Sequence, residues 1–198
     1  MNDLRRHAPA TLRNRDPILA ALRQFLPASG TLLEIASGTG EHAVFFAAAL
    51  PEITWQPSDP GAEARASIDA HAADAALPNL QPALALDVTA PEWPIARADA
   101  LLCCNMIHIA PWDATEGLMA GAARIIPPGA PMLLYGPYRQ RGVETAPSNE
   151  AFDADLRARN PAWGLRDLDA VTQAARGFTR EAVLALPANN LVVAFRRT

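Results

Sequence analysis

The chain has 198 residues, half of them hydrophobic and 19% charged, with a formal net charge of −4. That length suits one domain of about 100–200 residues. The composition is too apolar for a disordered chain, and the acidic balance lacks the excess of basic charge that binding along a phosphate backbone draws on. Every apolar run is broken by proline or a polar residue before the roughly 18 residues of a membrane span, and the N-terminal stretch has no apolar export segment. A cytoplasmic protein with neither a membrane nor a nucleic-acid partner is expected.

All 17 basic residues are arginine. Without lysine the chain forms no lysine Schiff base, and P-loop, kinase and Ser-x-x-Lys chemistries lose the ammonium each requires. Cys103 and Cys104 are adjacent, which suits neither a disulfide framework nor a recurring metal motif. No His, Cys or carboxylate cluster has metal-ligand spacing and no Gly-x-Ser-x-Gly elbow occurs, so no metal site and no α/β-hydrolase chemistry are expected.

In chain order, residues 1–16 read as a polar, arginine-rich arm to a single domain spanning 1–198. Apolar spacing predicts a first helix from Pro17 to about Pro27 with Asp16 as its N-cap. Thr31 to Ala36 reads as a buried strand, Glu41 to Leu50 as a helix, Ile53 to Gln56 as a second strand and Gly61 to Ala76 as a second sheet-packing helix. Pro82 to Leu86 is expected as a third strand, followed by a loop through Pro94. Ala100 to Asn105 is the strongest strand, then a helix from Trp112 to Ile126 and a strand from Met132 to Gly136. Pro137 to Asn149 reads as a long loop, Phe152 to Gly177 as helix broken at Pro161, and Glu181–Leu186 with Leu191–Arg196 as an antiparallel pair across Pro187-Ala188-Asn189-Asn190. Alternating strands and helices imply an α/β fold: a Rossmann-like, doubly wound sheet, mostly parallel, with a C-terminal antiparallel strand.

Four places concentrate polar chemistry at predicted strand ends. Glu34-Ile35-Ala36-Ser37-Gly38-Thr39-Gly40 puts an acid at a strand end and two glycines in the turn that opens a helix, which suits a nucleotide-like ligand with a cationic tail or, alternatively, a structural turn. Asp59 lies about 20 residues beyond Gly40, where a carboxylate accepts ribose hydroxyls, or caps the turn at Pro60. Asp87 offers an acceptor for an exocyclic amine beside the apolar Val88, or else bonds its own backbone. Asn105 and His108 carry polar groups past the fourth expected strand, His108 as a general base or as a hydrogen-bonded structural group.

These residues together resemble class I S-adenosylmethionine-dependent methyltransferases. More narrowly, Arg15-Asp16-Pro17-Ile18-Leu19, Leu33 to His42, Trp55-Gln56-Pro57-Ser58-Asp59, Tyr135-Gly136-Pro137-Tyr138, Asn160 to Asp167 and Pro187-Ala188-Asn189-Asn190 are similar to a methyltransferase-like family of the DUF938 type that includes human methyltransferase-like protein 26. The resemblance implies S-adenosylmethionine as cofactor, with Glu34, Ala36, Gly38 and Gly40 around its methionine and adenosine, Asp59 on the ribose, Asp87 and Val88 on the adenine, and Asn105 near the transferred methyl. Ala36 stands where many such enzymes have glycine, and the Asn-Pro-Pro-Tyr signature of base methylation is absent, so the acceptor is expected to be a small molecule. His108, Tyr138 and Arg166 are the candidate catalytic residues. Arg15, Tyr135, Asn149 and Trp163 are further candidates for the acceptor pocket, formed by the arm, the Pro137–Asn149 loop and the Asn160–Asp167 segment. Two other functions stay open: a non-catalytic protein binding S-adenosylmethionine or S-adenosylhomocysteine, and a nicotinamide oxidoreductase on the same fold.

Overall fold

The computed structural model describes residues 3–198, so Met1 and Asn2 of the expected arm lie outside it. The chain runs α1 (Pro9–Phe25), β1 (Gly30–Ile35), α2 (Glu41–Ala49), β2 (Ile53–Pro57), α3 (Ala62–Ala75), β3 (Ala100–Cys104), a 3-10 turn (Met106–His108), α4 (Trp112–Ile125) and β4 (Pro131–Gly136). It continues through β5 (Tyr138–Arg139), α5 (Pro147–Arg159), β6 (Arg166–Asp167), α6 (Leu168–Ala174), β7 (Phe178–Leu186) and β8 (Asn190–Arg197). Six strands form one sheet in the order β2-β1-β3-β4-β8-β7. The first four are parallel, and β8 is antiparallel to both of its neighbours. β1 is the innermost starting point: the chain moves outward to β2, then returns to place β3 on the other side of β1. Open α/β sheets bind ligands at such a reversal, outside the carboxyl ends of the strands.

Side-chain alternation along the strands divides the core in two. Leu32, Leu102, Leu133 and Val192 face α1 and α2, where they pack with Ile18, Leu22, Phe46 and Trp55. Leu33, Leu101, Leu134 and Val193 face the opposite side, with Leu118 and Ala122 of α4 and Val171 of α6. On that second face α4 carries Gly117 and Gly121, one turn apart. A Cβ on Gly117 would strike the Val88 carbonyl, and one on Gly121 would fall within the Trp93 ring. The two glycines form the groove in which the Val88–Trp93 segment sits against the helix.

Four sequence expectations change. The first helix starts at Pro9 and carries Pro17 in its interior, so half the expected arm is helical and Asp16 is an exposed mid-helix residue, not an N-cap. Pro17 removes one backbone donor, but Ile18, Leu19 and Leu22 are buried on the sheet and hold the helix through it. Pro82–Leu86 forms no strand and leaves only isolated bridges, Trp55 to Leu80 and Ser58 to Leu84, because Pro57 of β2 has no N–H to continue the ladder and the Ala83 N–H is taken by Asp69 Oδ1 at 2.8 Å. The long loop is interrupted by β5, which pairs with β6, and gives way to α5 at Pro147. The C-terminal pair is longer than expected, with β7 beginning at Phe178.

A single carboxylate lies deep in the first core face. Glu34 is 1% exposed and accepts a 2.9 Å hydrogen bond from the Trp55 indole. Burial pushes its pKa up to about 7, against the pull of the indole and of the Ser37 hydroxyl. Between the ordinary carboxylate value and about 7 the folded chain keeps a proton that the unfolded chain releases, so this group makes folding less favourable as pH rises through that window.

Two stability measurements follow from this packing. Gly121→Ala should cost about 1–3 kcal/mol in urea unfolding, since Trp93 must leave its seat; an unchanged midpoint would show that the indole moves freely. Glu34→Gln keeps an acceptor for the indole and removes the titration. Its stability relative to the parent should rise between pH 5 and pH 8 by an amount on the order of 1–3 kcal/mol, and a difference that is flat with pH would contradict the burial of a protonated carboxyl.

Candidate functional site

The carboxyl ends of β1 and β2 are clasped to each other. Ser37 N–H donates to the Ser58 carbonyl at 2.8 Å, Ser58 N–H donates to Ser37 Oγ at 3.2 Å, and Ser58 Oγ donates to the Glu34 carbonyl at 2.7 Å. The turn between them takes left-handed backbone at Ala36 (φ 53°), Gly38 (φ 60°) and Gly40 (φ 92°). Gly40 caps α2 where a Cβ would come within 2.7 Å of the Ile68 backbone, so only glycine fits. Asp59 closes the arrangement: its Oδ2 accepts from Gly38 N–H at 3.1 Å and its Oδ1 from Gly61 N–H at 2.9 Å. Asp59 is thus both the turn residue and the acid that faces the glycine loop.

A cleft of about 470 Å³ opens over these strand ends. Ala36, Asp59, Asp87 and Val88 all line it, together with Leu86, Met106, Ile109 and Asp113. Its ionisable lining is three carboxylates, with no arginine or histidine among the residues that form it. Asp87 accepts from Thr89 N–H at 2.9 Å and from Thr89 Oγ1 at 2.7 Å through one oxygen, so it both bonds its own backbone and lines the cleft. Gly38, Gly40 and Asn105 do not line it, and Glu34 is buried in the core with its carboxyl on Trp55.

Beyond β3, Asn105 takes left-handed backbone (φ 61°) and starts the 3-10 turn. Its N–H donates to the Tyr135 carbonyl at 2.8 Å, so it is held between β3 and β4. His108 is fully buried and meets the Tyr138 ring edge to face at 4.9 Å. Its Nδ1 faces the Arg166 N–H at 3.4 Å, which leaves the ring proton on Nε2. Burial, and then the Arg166 charge, hold its pKa down to about 3, so the ring is neutral. His108 Nε2 and Tyr138 Oη find no hydrogen-bond partner among the described residues. The Arg166 guanidinium is engaged with the backbone carbonyls of Ile107, Ala110 and Ala162 at 2.6–2.9 Å. It therefore braces the turn that carries His108.

Two hollows flank the β7–β8 turn and share Leu186 and Asn190. One, about 250 Å³, lies against α1 and is lined by Arg13, Asn14, Pro17, Tyr135, Pro187 and Ala188 among others. The other, about 210 Å³, is lined by Tyr138, Glu144, Asn149 and Leu191, with Asn149 Nδ2 donating to the Asn189 carbonyl at 3.0 Å. Arg15 lines neither and lies over the Phe45 ring at 4.5 Å. Trp163 lies under Arg159 at 5.3 Å, also away from both. The Asn160–Asp167 segment packs on His108, with Gly164 N–H on the His108 carbonyl at 2.9 Å.

Two positions, Asn14 and Asp153, emerge only from the structure. His42, stacked on Phe46, donates from Nε2 to Asn14 Oδ1 at 2.8 Å, tying α1 to the helix behind the glycine turn; burial lowers its pKa to about 4. Asp153 is 7% exposed and gathers Leu165 N–H, Arg157 Nε and Arg139 Nη2 at 2.7–3.1 Å, fixing α5 to the strand pair beside Tyr138. Arg157, four residues beyond Asp153 on the same helical face, was the available signal for Asp153; Asn14 and His42 are 28 residues apart, and their contact carried none. Burial pushes the Cys103 thiol up to about 12 and Cys104 upward as well, so neither is a thiolate nucleophile at neutral pH. Among the described residues no group of three metal-ligating side chains occurs, and no helix is long and apolar enough to cross a membrane.

The architecture is similar to that of several solved structures. An O-methyltransferase family protein from Burkholderia thailandensis matches with a TM-score of 0.80 and 14% identity over 96% of this chain and 57% of that one. Human N-acetylserotonin methyltransferase in complex with SAM matches at 0.79 and 13% identity over 95% of this chain and 52% of that one. SibL, described as an S-adenosylmethionine-dependent methyltransferase, matches at 0.77 and 20% identity over 94% and 55%. This chain therefore spans little more than half the length of these proteins, and the likeness is one of fold. A family model described as "Protein of unknown function (DUF938)" matches residues 5–197, nearly the whole chain, and the protein belongs to that family.

Proposed function

We propose that this protein binds S-adenosylmethionine in the cleft at the ends of β1 and β3 and transfers its methyl group to a small-molecule acceptor. The observation that carries this reading is the sign of the cleft: Asp59, Asp87 and Asp113 line it and no cationic side chain does. A dinucleotide would bring its pyrophosphate against carboxylates with nothing to offset the charge, whereas a nucleoside on a sulfonium has hydroxyls and amines to give and a positive charge to be offset. The same feature disfavours the nicotinamide reading, despite a glycine turn that either ligand could approach.

The residues present fit the cofactor. Asp59, anchored by two backbone N–H groups, keeps acceptor capacity for ribose hydroxyls. Asp87 is fixed by Thr89 for an exocyclic amine, while Val88 and Met106 offer apolar surface to a flat ring. Ala36, Gly38 and Gly40 keep the turn free of bulk, and Asn105 stands at the end of β3. Glu34 acts through its backbone carbonyl in the Ser58 clasp and its buried carboxyl. When bound, the cofactor supplies an electrophilic methyl, and the protein's share is positioning and exclusion of water. Within this reading His108 and Tyr138, packed on each other as neutral buried groups, hold the loops that follow β3 and β4, with Arg166 as the brace. Kinship with human methyltransferase-like protein 26 belongs to the same reading and rests on the shared strings.

Thermal unfolding with S-adenosylmethionine, S-adenosylhomocysteine and NAD(H) tests it. A ligand at about 100 times its Kd adds about 2.7 kcal/mol, a rise of roughly 5–10 °C for this size. The two sulfur nucleotides should give that rise and Asp59→Asn should abolish it; a rise with NAD(H) alone would overturn the reading. Binding without label transfer from the methyl-labelled cofactor to any compound of a metabolite extract would favour a non-catalytic binding protein.

A further inference from the structure

The hollow between α1 and the β7–β8 turn differs in charge from the cleft. Arg13 is its one ionisable side chain besides Tyr135, and no carboxylate lines it, in a chain whose net charge is −4. Pro17, Leu186, Pro187 and Ala188 give it apolar walls, and its volume, about 250 Å³, admits a molecule of one-ring size. Tyr135 is 4% exposed and contributes to this lining. Burial opposes ionisation of its hydroxyl, offset in part by a hydrogen bond with Asn14 and by the Arg13 charge.

The hollow also borders the residues of the proposed methyl-transfer site. The Tyr135 carbonyl takes the N–H of Asn105 at 2.8 Å. Asn14 Oδ1 takes Nε2 of His42, two residues beyond the glycine turn, at 2.8 Å. Residues that line the hollow are therefore bonded to Asn105 beyond β3 and to the first turn of α2. The other arginines considered for an acceptor are engaged elsewhere, Arg15 over Phe45 and Arg166 on three carbonyls. The neighbouring hollow under Tyr138 carries Glu144 and so has the wrong sign for an anion.

We infer that this hollow is the acceptor subsite and that it takes a small planar organic carboxylate, paired with the Arg13 guanidinium, hydrogen-bonded by the Tyr135 hydroxyl and sandwiched between Pro17 and the Pro187–Ala188 turn. Arginine suits that role because its planar fork matches a carboxylate in two parallel hydrogen bonds. Asn14 is a positioning residue, holding Tyr135 and α1 to His42. The role of the bound acid as methyl acceptor rests on the methyl-transfer reading, while its binding does not.

The test uses the full chain, 4-hydroxybenzoate and its neutral isostere 4-hydroxybenzamide, followed by ligand-observed NMR titration, with S-adenosylhomocysteine affinity measured separately by calorimetry. The acid should bind at least tenfold more tightly than the amide. Arg13→Gln, a change at an exposed position, should remove that preference without altering S-adenosylhomocysteine affinity, and Tyr135→Phe should weaken the acid more than the amide. Equal binding of acid and amide, no binding of either, or a preference that survives Arg13→Gln would overturn the inference. Loss of S-adenosylhomocysteine binding in the parent protein, with the acid preference intact, would instead defeat the cofactor reading and leave the anion subsite standing.

Discussion

The site depends on how two parallel strands stop. A parallel ladder gives no intrinsic reason for β1 and β2 to end at the same level, and a glycine-rich turn would wander if its two ends were not joined. Ser58 joins them: its carbonyl, N–H and hydroxyl meet Ser37 N–H, Ser37 Oγ and the Glu34 carbonyl at 2.8, 3.2 and 2.7 Å. Ser58 is fully buried, so each of these bonds is made where an unpaired group would be costly. The next residue, Asp59, then has no freedom in where its carboxylate goes, since Gly38 and Gly61 each hold one oxygen. Left-handed backbone at Ala36, the one such position of the turn that is not glycine, is strain that this clasp offsets.

The remaining cleft wall is set from the opposite face of the sheet. Gly117 and Gly121 let α4 meet Val88 and Trp93 at backbone distance, and this fixes the height of Asp87 and Val88 above the strand ends. The clasp and the helix seat share no residue, yet together they define one opening. A change in either would move one wall relative to the other. Such rigidity suits a site whose main task is to hold two molecules in line, because small misplacements are costly in a reaction that depends on orientation.

The sequence made β1, β2, β3 and β4 legible because each is a short apolar run with a sharp boundary, and the alternation that assigns residues to the two core faces is a local property. The glycine turn and Asp59 were legible for the same reason, since spacing along the chain reports them. What was not legible depends on contacts remote in sequence. Helix α1 passes through Pro17 because the sheet holds Ile18, Leu19 and Leu22, a tertiary gain that overrides a local penalty. The expected strand at Pro82–Leu86 had the right apolar pattern, but its hydrogen-bond supply is interrupted by proline. Arg166 read as a candidate catalytic residue because its engagement with the Ile107 and Ala110 carbonyls lies more than 50 residues away. The contact between Asn14 and His42, 28 residues apart, had no local signal at all.

Net charge concealed the most informative property of the site. A total of −4 spread over the chain says little, but the structure sorts charge by location, with carboxylates around the strand-end cleft and arginine with tyrosine in the hollow beside α1. Asn105, which follows β3, bonds the carbonyl of Tyr135, whose side chain lines the hollow beside α1. In the reading proposed here, a cationic donor occupies the acidic compartment and an anionic acceptor the basic one, and each compartment repels the other's occupant. Discrimination of this kind needs no lid and no induced fit: in that reading the sorting of charge is already present in the empty fold, and each reactant is turned away from the other's compartment before either is oriented.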